Sequence, residues 1–315
     1  MTVLVVGGAG YIGSHVCKQL SASGFSPVVY DNLQSGHKEA VKWGTLVEGD
    51  LLDEQTLEKA FKSHSPTAVI HLASEIDCRE SAIDPGKFYR NNVVGSLTLL
   101  QVMACCKVQA LVFSSTAAVY GMPNQIPITE DHPCQPINVY GKTKKMVEEM
   151  LPDFFKAHQM RSVSLRYFNA AGADSSGLIG EAHRHETHLI PLAILAALGK
   201  KPQLQIFGDG TAIRDYVHVT DLAMAHVKAL QWLLKGGESL TLNLGSGRGY
   251  SVQEVIAMVE KQSGKPVPHQ KIAKNPSDPD ALVASIEKAR KLLDWTPEHS
   301  ELSEIVSTAL RWHSI

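Results

Sequence analysis

The chain has 315 residues, 44% of them hydrophobic and 20% charged, with a formal net charge of -2. That is enough apolar material for a large core and more than one compact unit. There is no basic stripe of the kind nucleic acid demands, so no nucleic-acid partner is expected and any anionic ligand must be held locally. The five cysteines, Cys17, Cys78, Cys105, Cys106 and Cys134, are odd in number and include no CxxC pair, which fits reduced thiols in a cytoplasmic protein. The opening MTVLVVGG is too short for a signal peptide, and no later run reaches the ~18 apolar residues of a membrane span, so no membrane association is expected.

The first predicted strand, 3–6, runs into Gly7, Gly8, Gly10 and Gly13 and then into a helix that carries Ile12, Val16 and Leu20 on one face. Further strands are predicted at 28–30, 46–48, 68–72, 111–115 and 162–167, each a short β-branched run. Between them Leu57 and Phe61 share a helical face, as do Val147, Leu151 and Phe154. This alternation predicts an α/β fold, a doubly wound parallel sheet of Rossmann type with helices on both faces. After Asn169 the rhythm breaks into glycine-rich loops, a helix near 189–198, a strand near 203–207 and mixed segments. The expected organisation is a cofactor-binding domain over 1–169, joined by a segment near 212–235. Residues 170–211 and 236–315 then form a smaller, mixed α/β substrate lobe at the sheet's carboxyl edge.

The strand, glycine turn and helix of VLVVGGAGYIGSH suit a dinucleotide. Glycines permit a tight turn and close approach of backbone amides, and a diphosphate can sit on the helix N-terminus. Asp31 ends the second strand, 18 residues after Gly13. A carboxylate there accepts hydrogen bonds from the ribose hydroxyls and repels a 2′-phosphate, which selects NAD over NADP. Asp50, after the third strand, either reaches the adenine or caps a turn.

The fifth strand ends in FSSTAAVYG, and 24 residues after Thr116 come Tyr140 and Lys144, four apart in VYGKTK. On a helix these two side chains point the same way. A neighbouring ammonium favours the phenolate, the form in which a tyrosine serves as a general base.

The chain resembles the extended short-chain dehydrogenase/reductases, and within them the nucleotide-sugar 4-epimerases. The likeness rests on GGAGYIGSH, HLA at 71–73, NNVVGSL at 91–97, FSSTAAVYG, YGKTK, RYFNAAG at 166–172, THLIP at 187–191, IFGDGT, RDYVHV at 214–219 and NLGSGRGYSV at 243–252. It implies an isomerase that holds NAD and inverts C4 of a UDP-hexose, the UDP-glucose and UDP-galactose pair, through a transient 4-keto sugar. Tyr140 would be the base, Lys144 would tune it and hold the nicotinamide ribose, and Thr116 would orient the proton.

The same resemblance assigns cofactor contacts to Gly7, Gly10, Tyr11, Ile12, Gly13, Asp31, Asn32, Asp50 and Leu51 on one side. On the other it assigns them to Leu72, Ala73, Asn91, Ser114 and Tyr167 beside Tyr140 and Lys144. Asn169, Leu189, Phe207, Arg214, Tyr216, Asn275, Asp278 and Leu282 would line the UDP-sugar with Thr116. A guanidinium matches phosphate oxygens in a bidentate way, so Arg214 is the expected diphosphate clamp, its rival role being a surface ion pair with Asp215 or Asp221. Leu282 would border the sugar's C2 substituent, its rival role being strand core. A homodimer through helices at 93–105 and 144–155 is also implied.

Three positions depart from the family pattern. Thr116 stands where Ser is common, Ile76 where a lysine often follows the HxA segment, and Asn275, next to Lys274, where an Arg is usual. Related dehydratases and decarboxylases place an acid directly after the Thr or Ser, whereas this chain has Ala117 and Ala118. The alternatives are another UDP-sugar 4-epimerase, for an N-acetylhexosamine or a pentose, and a non-catalytic NAD sensor of the same fold. In EAHRHETH, His183, His185 and His188 imitate a metal cluster, but their spacing does not fit HExxH and no cysteine or acidic cluster accompanies them, so no metal is expected.

Overall fold

The computed structural model describes residues 1–273 and 278–314. The chain divides into two compact units, one made of Met1–Gly121, His132–Arg166 and Ala223–Leu242, the other of Met122–Asp131, Tyr167–Leu222 and Asn243–Ile315.

The first unit is organised on a seven-stranded sheet. Six strands are the predicted ones: β1 (Thr2–Val6), β2 (Ser26–Asp31), β3 (Thr45–Glu48), β4 (Ala68–His71), β5 (Ala110–Thr116) and β6 (Arg161–Tyr167). The seventh, β10 (Leu240–Leu244), comes from far along the chain and has no counterpart among the strands read from the sequence. The order is β10-β6-β5-β4-β1-β2-β3, with β1 parallel to both β2 and β4. Strand order reverses between β1 and β4, the place where doubly wound sheets receive ligands beyond their carboxyl ends.

Helices α1 (Tyr11–Ala22), α2 (Glu54–His64), α5 (Gly95–Cys105) and α6 (Val139–His158) cover the sheet, with the single turns α3 (Glu80–Ile83) and α4 (Pro85–Phe88) leading into the fourth crossover. The apolar periodicity explains which faces turn inward. Leu57 and Phe61 of α2 and Val147 and Leu151 of α6 are buried in one cluster with Leu4, Val69 and Leu111, and Phe154 packs on its rim. Each such side chain contributes about 1.5–3 kcal/mol by leaving water. Val16 and Leu20 of α1 are fully buried as well. Asp53 starts α2 by accepting from the amide of Thr56 at 3.1 Å, and Asn138 starts α6 by accepting from Gly141 at 2.7 Å.

In the second unit β9 (Ile213–His218) is the common strand. β7 (Asn169–Ala171) pairs in parallel with its last residues, β13 (Ala281–Leu282) in parallel with its first, and β11 (Gly249–Ser251) is antiparallel to it. β8 (Leu204–Phe207) and β12 (His269–Ile272) make a separate parallel pair. α7 (Leu189–Ala197), α9 (Val252–Ser263) and α11 (Leu302–Ser314) supply the core through Ile190, Ile194, Val255, Val259, Ile305 and Val306. α8 (Val219–Leu234) and α10 (Glu287–Leu293) complete the α-helices among the described residues. No helix among the described residues is long and apolar enough to cross a membrane.

Candidate active site

The glycine turn is tight for two different reasons. Gly7 has φ +82°, and a β-carbon there would stand 2.5 Å from the amide nitrogen of Ala73; one on Gly13 would stand 2.1 Å from the carbonyl oxygen of Gly7. These glycines let β1, β4 and α1 close on one another. Gly10 differs, because a β-carbon there would meet only the Gly7 carbonyl oxygen at an ordinary 3.4 Å. Packing within the protein does not require glycine at that position, and the absence of a side chain there leaves the approach to the first amides of α1 open. Gly10 offers no side-chain cap to those amides, and the first turn of α1 carries no acid, so the helix end at Tyr11, Ile12 and Gly13 fits a diphosphate.

Asp31 ends β2 almost buried, with one carboxylate oxygen accepting from the amide of Ala9 at 2.9 Å and the other from Leu33 at 2.9 Å. Burial pushes its carboxyl up, against those two amides. The residue therefore ties the glycine turn to the end of β2. Asn32 donates to Asp50 at 2.8 Å, and Asp50 also accepts from the amide of Leu52 at 2.8 Å, so Asp50 caps its own turn while joining the Asp31 and Asn32 group. Leu51 is buried in the main core. Leu72 and Ala73 both donate their amides to the carbonyl of Val6, at 2.8 and 3.0 Å, at the end of β4. Asn91 donates to Glu75 at 3.1 Å, and Ile76 is exposed.

The catalytic candidates converge at the end of β5. Lys144 is buried, its Nζ donates to the carbonyl of Ser114 at 2.8 Å, and it lies 5.1 Å from the centre of the Phe113 ring. Burial pulls this ammonium down to about 7, with Glu148 opposing the fall. His71 stays neutral, lowered to about 3 by burial and then by Lys144. Thr116 is the last residue of β5, and its hydroxyl accepts from the amide of Ala118 at 3.1 Å. Tyr140, half-buried, lies one turn before Lys144 on α6, and its carbonyl accepts from Thr143 at 2.8 Å. The hydroxyl of Thr143 accepts in turn from Asn92 at 3.0 Å.

Sequence reasoning missed two features of this centre. Gly141 sits where a β-carbon would stand 2.5 Å from the carbonyl oxygen of Ala118; the glycine lies in plain view in VYGKTK, but its neighbour is visible only in three dimensions. Glu148, one turn beyond Lys144, accepts from Ser115 Oγ at 2.5 Å and from Arg166 through both oxygens, at 2.9 and 2.6 Å, while Arg166 donates to the Tyr120 hydroxyl at 3.0 Å. This fork-to-fork pair is nearly buried on both sides, the case in which deleting one partner costs about 3–5 kcal/mol. It locks α6 to β5 and β6. The only linear signal for it was the arginine of RYFN.

In the second unit Arg214 and Tyr216 lie on β9, two apart and hence on one face. Leu282 pairs in register with Arg214, and Tyr250 pairs with Arg214 from the other side. Leu282 is half-buried, unlike the core residue Val283 after it. Arg214 donates to the carbonyl of Ile213 at 2.8 Å; burial lowers its guanidinium against the charges of Tyr216, Asp278 and Asp280. The carboxylates of Asp215 and Asp221 are committed elsewhere, Asp215 to Ser246, Gly247 and Ala284 and Asp221 to Glu298, His299 and Ser300. Asn169 donates to the carbonyl of Asp215 at 2.9 Å and pairs with Tyr216. Tyr167 closes β6, Leu189 opens α7, and Phe207 ends β8. Asn275 lies outside the described residues. The acid that the linear reading denied to the histidines is present: Glu181 contacts both His183 and His188.

Residues 3–245 match the family described as NAD dependent epimerase/dehydratase. A UDP-glucose 4-epimerase of Rhizobium leguminosarum bv. trifolii is 50% identical over 319 residues, covering 99% of this chain and 97% of the relative. A crystal structure of UDP-glucose 4-epimerase from Brucella ovis in complex with NAD matches with TM-score 0.96 and 47% identity, over 98% of this chain and 97% of that one. The enzyme of the same name from Bifidobacterium longum, in complex with NAD+ and UDP, matches with TM-score 0.95 and 36% identity, over 100% and 98%. With a family match across the Rossmann-type sheet and half-identical relatives along its whole length, the chain belongs to the NAD-dependent epimerases and dehydratases.

Proposed function

We infer that the protein is an NAD-dependent isomerase that inverts C4 of a UDP-hexose, interconverting UDP-glucose and UDP-galactose. The observation that carries this reading is the anchoring of Lys144 on the carbonyl of Ser114 at 2.8 Å, one helical turn from Tyr140 and at the end of the strand that finishes in Thr116. Bound NAD supplies a hydride acceptor and donor for C4. Tyr140 takes the proton of the sugar 4-hydroxyl as the 4-keto sugar forms and returns it when the opposite epimer is made. Thr116 orients that hydroxyl, and the Lys144 ammonium stabilises the phenolate and holds the nicotinamide ribose. Ala117 and Ala118 offer no acid for an elimination, which separates this chemistry from dehydration.

In this reading the first unit holds the cofactor and the second holds the nucleotide sugar. Gly10, Tyr11, Ile12 and Gly13 take the dinucleotide diphosphate, and Asp31 takes the adenine ribose. Arg214 clamps the diphosphate of the sugar nucleotide, with Asn169, Leu189, Phe207, Tyr216, Asp278 and Leu282 lining that site. The protein works as a homodimer joined through the helical segments 93–105 and 144–155, for which the exposed Val94, Met146 and Phe155 are the apolar support. Its five free thiols suit the reducing cytoplasm.

The test is direct. Purified protein given UDP-galactose, UDP-N-acetylgalactosamine and UDP-arabinose in parallel is followed by NMR for the C4 epimer. Fast conversion of UDP-galactose is expected, and its absence from protein that retains NAD removes the assignment. Light scattering reads the oligomer.

A further inference from the structure

The segment from Glu181 to His188, which leads into α7, brings together side chains two and five positions apart along it. Glu181 Oε1 lies 3.3 Å from His183 Nε2 and 2.5 Å from His188 Nδ1. One donor atom from each of the three residues lies within 4.8 Å of the others. Glu186 adds a second carboxylate, 3.5 Å from His188 Nδ1. The two imidazoles are 5.3 Å apart between centroids and inclined at 66°, so they do not stack.

The position of Glu181 is fixed from behind. Its backbone carbonyl accepts from Trp312 Nε1 at 2.7 Å, and Gly180 lies so close to the same indole that a β-carbon would stand 2.4 Å from the ring. The carboxylate is 3% exposed, while His183 and His188 are 22% and 48% exposed on their side chains. A buried oxygen held from behind thus faces His183 Nε2, itself buried, and the nitrogen of the more exposed His188 side chain.

We propose that Glu181, His183 and His188 form a binding site for a divalent cation of the zinc class, with Glu186 or water at the fourth position. Two imidazole nitrogens and one carboxylate oxygen are a donor set such ions take, and a tetrahedron with bonds of ~2.0–2.2 Å sets donors about 3.3–3.6 Å apart. The observed spread reaches that geometry by small rotations of the half-buried His183 and the more exposed His188 imidazoles. A dication at this point would lie between the Glu181 and Glu186 carboxylates and the two imidazoles. Its structural effect is to fasten the entry to α7 onto α11.

The experiment uses the full chain without an affinity tag, cleared of metal and titrated with Co2+, which reports four-coordinate binding by its visible absorption. A saturable band at a single equivalent, displaced by Zn2+, is expected. His183→Ala and His188→Ala should each weaken it by about tenfold or more, whereas His185→Ala, an exposed neighbour outside the cluster, should leave it unchanged. Zn2+ should raise the Tm of the natural protein and not that of the two affected variants. Retained NAD shows that those variants are folded. The proposal is overturned if the natural protein gives no saturable band, if His183→Ala and His188→Ala titrate like it, or if His185→Ala alone abolishes the signal.

Discussion

Gly141 lies against the carbonyl of Ala118, so that a β-carbon on it would stand 2.5 Å from that oxygen. The helix that carries Tyr140 and Lys144 is thereby allowed to touch the segment following Thr116. Gly141→Ala should push α6 off this contact at a cost of about 1–3 kcal/mol, the usual range for overpacking. Turnover should fall while the protein still folds and keeps NAD. Melting and steady-state rates check this, and an active, unshifted variant removes the contact from the argument.

Tyr140→Phe keeps the ring and loses the acid–base group. Turnover with UDP-galactose should drop by about 10²-fold or more, with NAD content unchanged on purification. Rates near those of the natural protein would sink the role given to Tyr140.

Lys144 predicts a pH dependence of stability. Its ammonium is at about 7 in the fold against an ordinary value of 10.5. Below about pH 7 the group is charged in both folded and unfolded chains, and burial carries its full cost. Between about 7 and 10.5 the unfolded chain binds more protons than the folded one, so stability contributed at this residue rises with pH. Lys144→Met should therefore be more stable than the natural protein at pH 6, and the difference should shrink toward pH 10. Urea midpoints of nucleotide-free protein across that range measure it; a pH-independent difference contradicts the assignment.

Replacing Asp31 should act twice. Asp31→Ser removes the charge that repels a 2′-phosphate, so the ratio of NADP to NAD affinity should rise. It also weakens the acceptors for the Ala9 and Leu33 amides, which should cost about 1–3 kcal/mol. Cofactor competition reads the first effect and melting the second. An unchanged ratio would take Asp31 away from the ribose.

Leu282 pairs in register with Arg214 and is half-buried. If it borders the sugar as proposed, an apolar wall there should disfavour an N-acetyl group by shape, a discrimination of about 1–3 kcal/mol. Leu282→Ser should raise turnover of UDP-N-acetylgalactosamine relative to UDP-galactose. Should the ratio stay fixed, Leu282 belongs to the strand and not to the sugar.

Much of the first unit was legible because parallel strands buried on both faces read as continuous β-branched runs, as Val3 to Val6 and Ala68 to His71 do. The glycine turn, Asp31, Thr116 and the Tyr140 and Lys144 pair were legible because their spacing along the chain is itself the signal. β10 was not, since LTLNL is short and mixed and nothing local reveals which sheet it joins. The approach of Gly141 to Ala118 and the Glu148, Arg166 and Tyr120 network depend on residues distant in sequence. Glu181 shows the same limit at short range: it stands two residues before His183, and only the folded loop brings it within reach of His188 as well.

The late strand has a bearing on how the chain is made. β6 is complete at residue 167, but its neighbour β10 begins at 240. During synthesis from the N-terminus, the flank of β6 waits for more than 70 further residues to emerge, with its backbone donors and acceptors unpaired on that side. An open flank is a template for foreign strands. The flank of β6 is thus open after the candidate residues Tyr140 and Lys144 have been synthesised and before β10 covers it, and chaperone demand should peak in that interval.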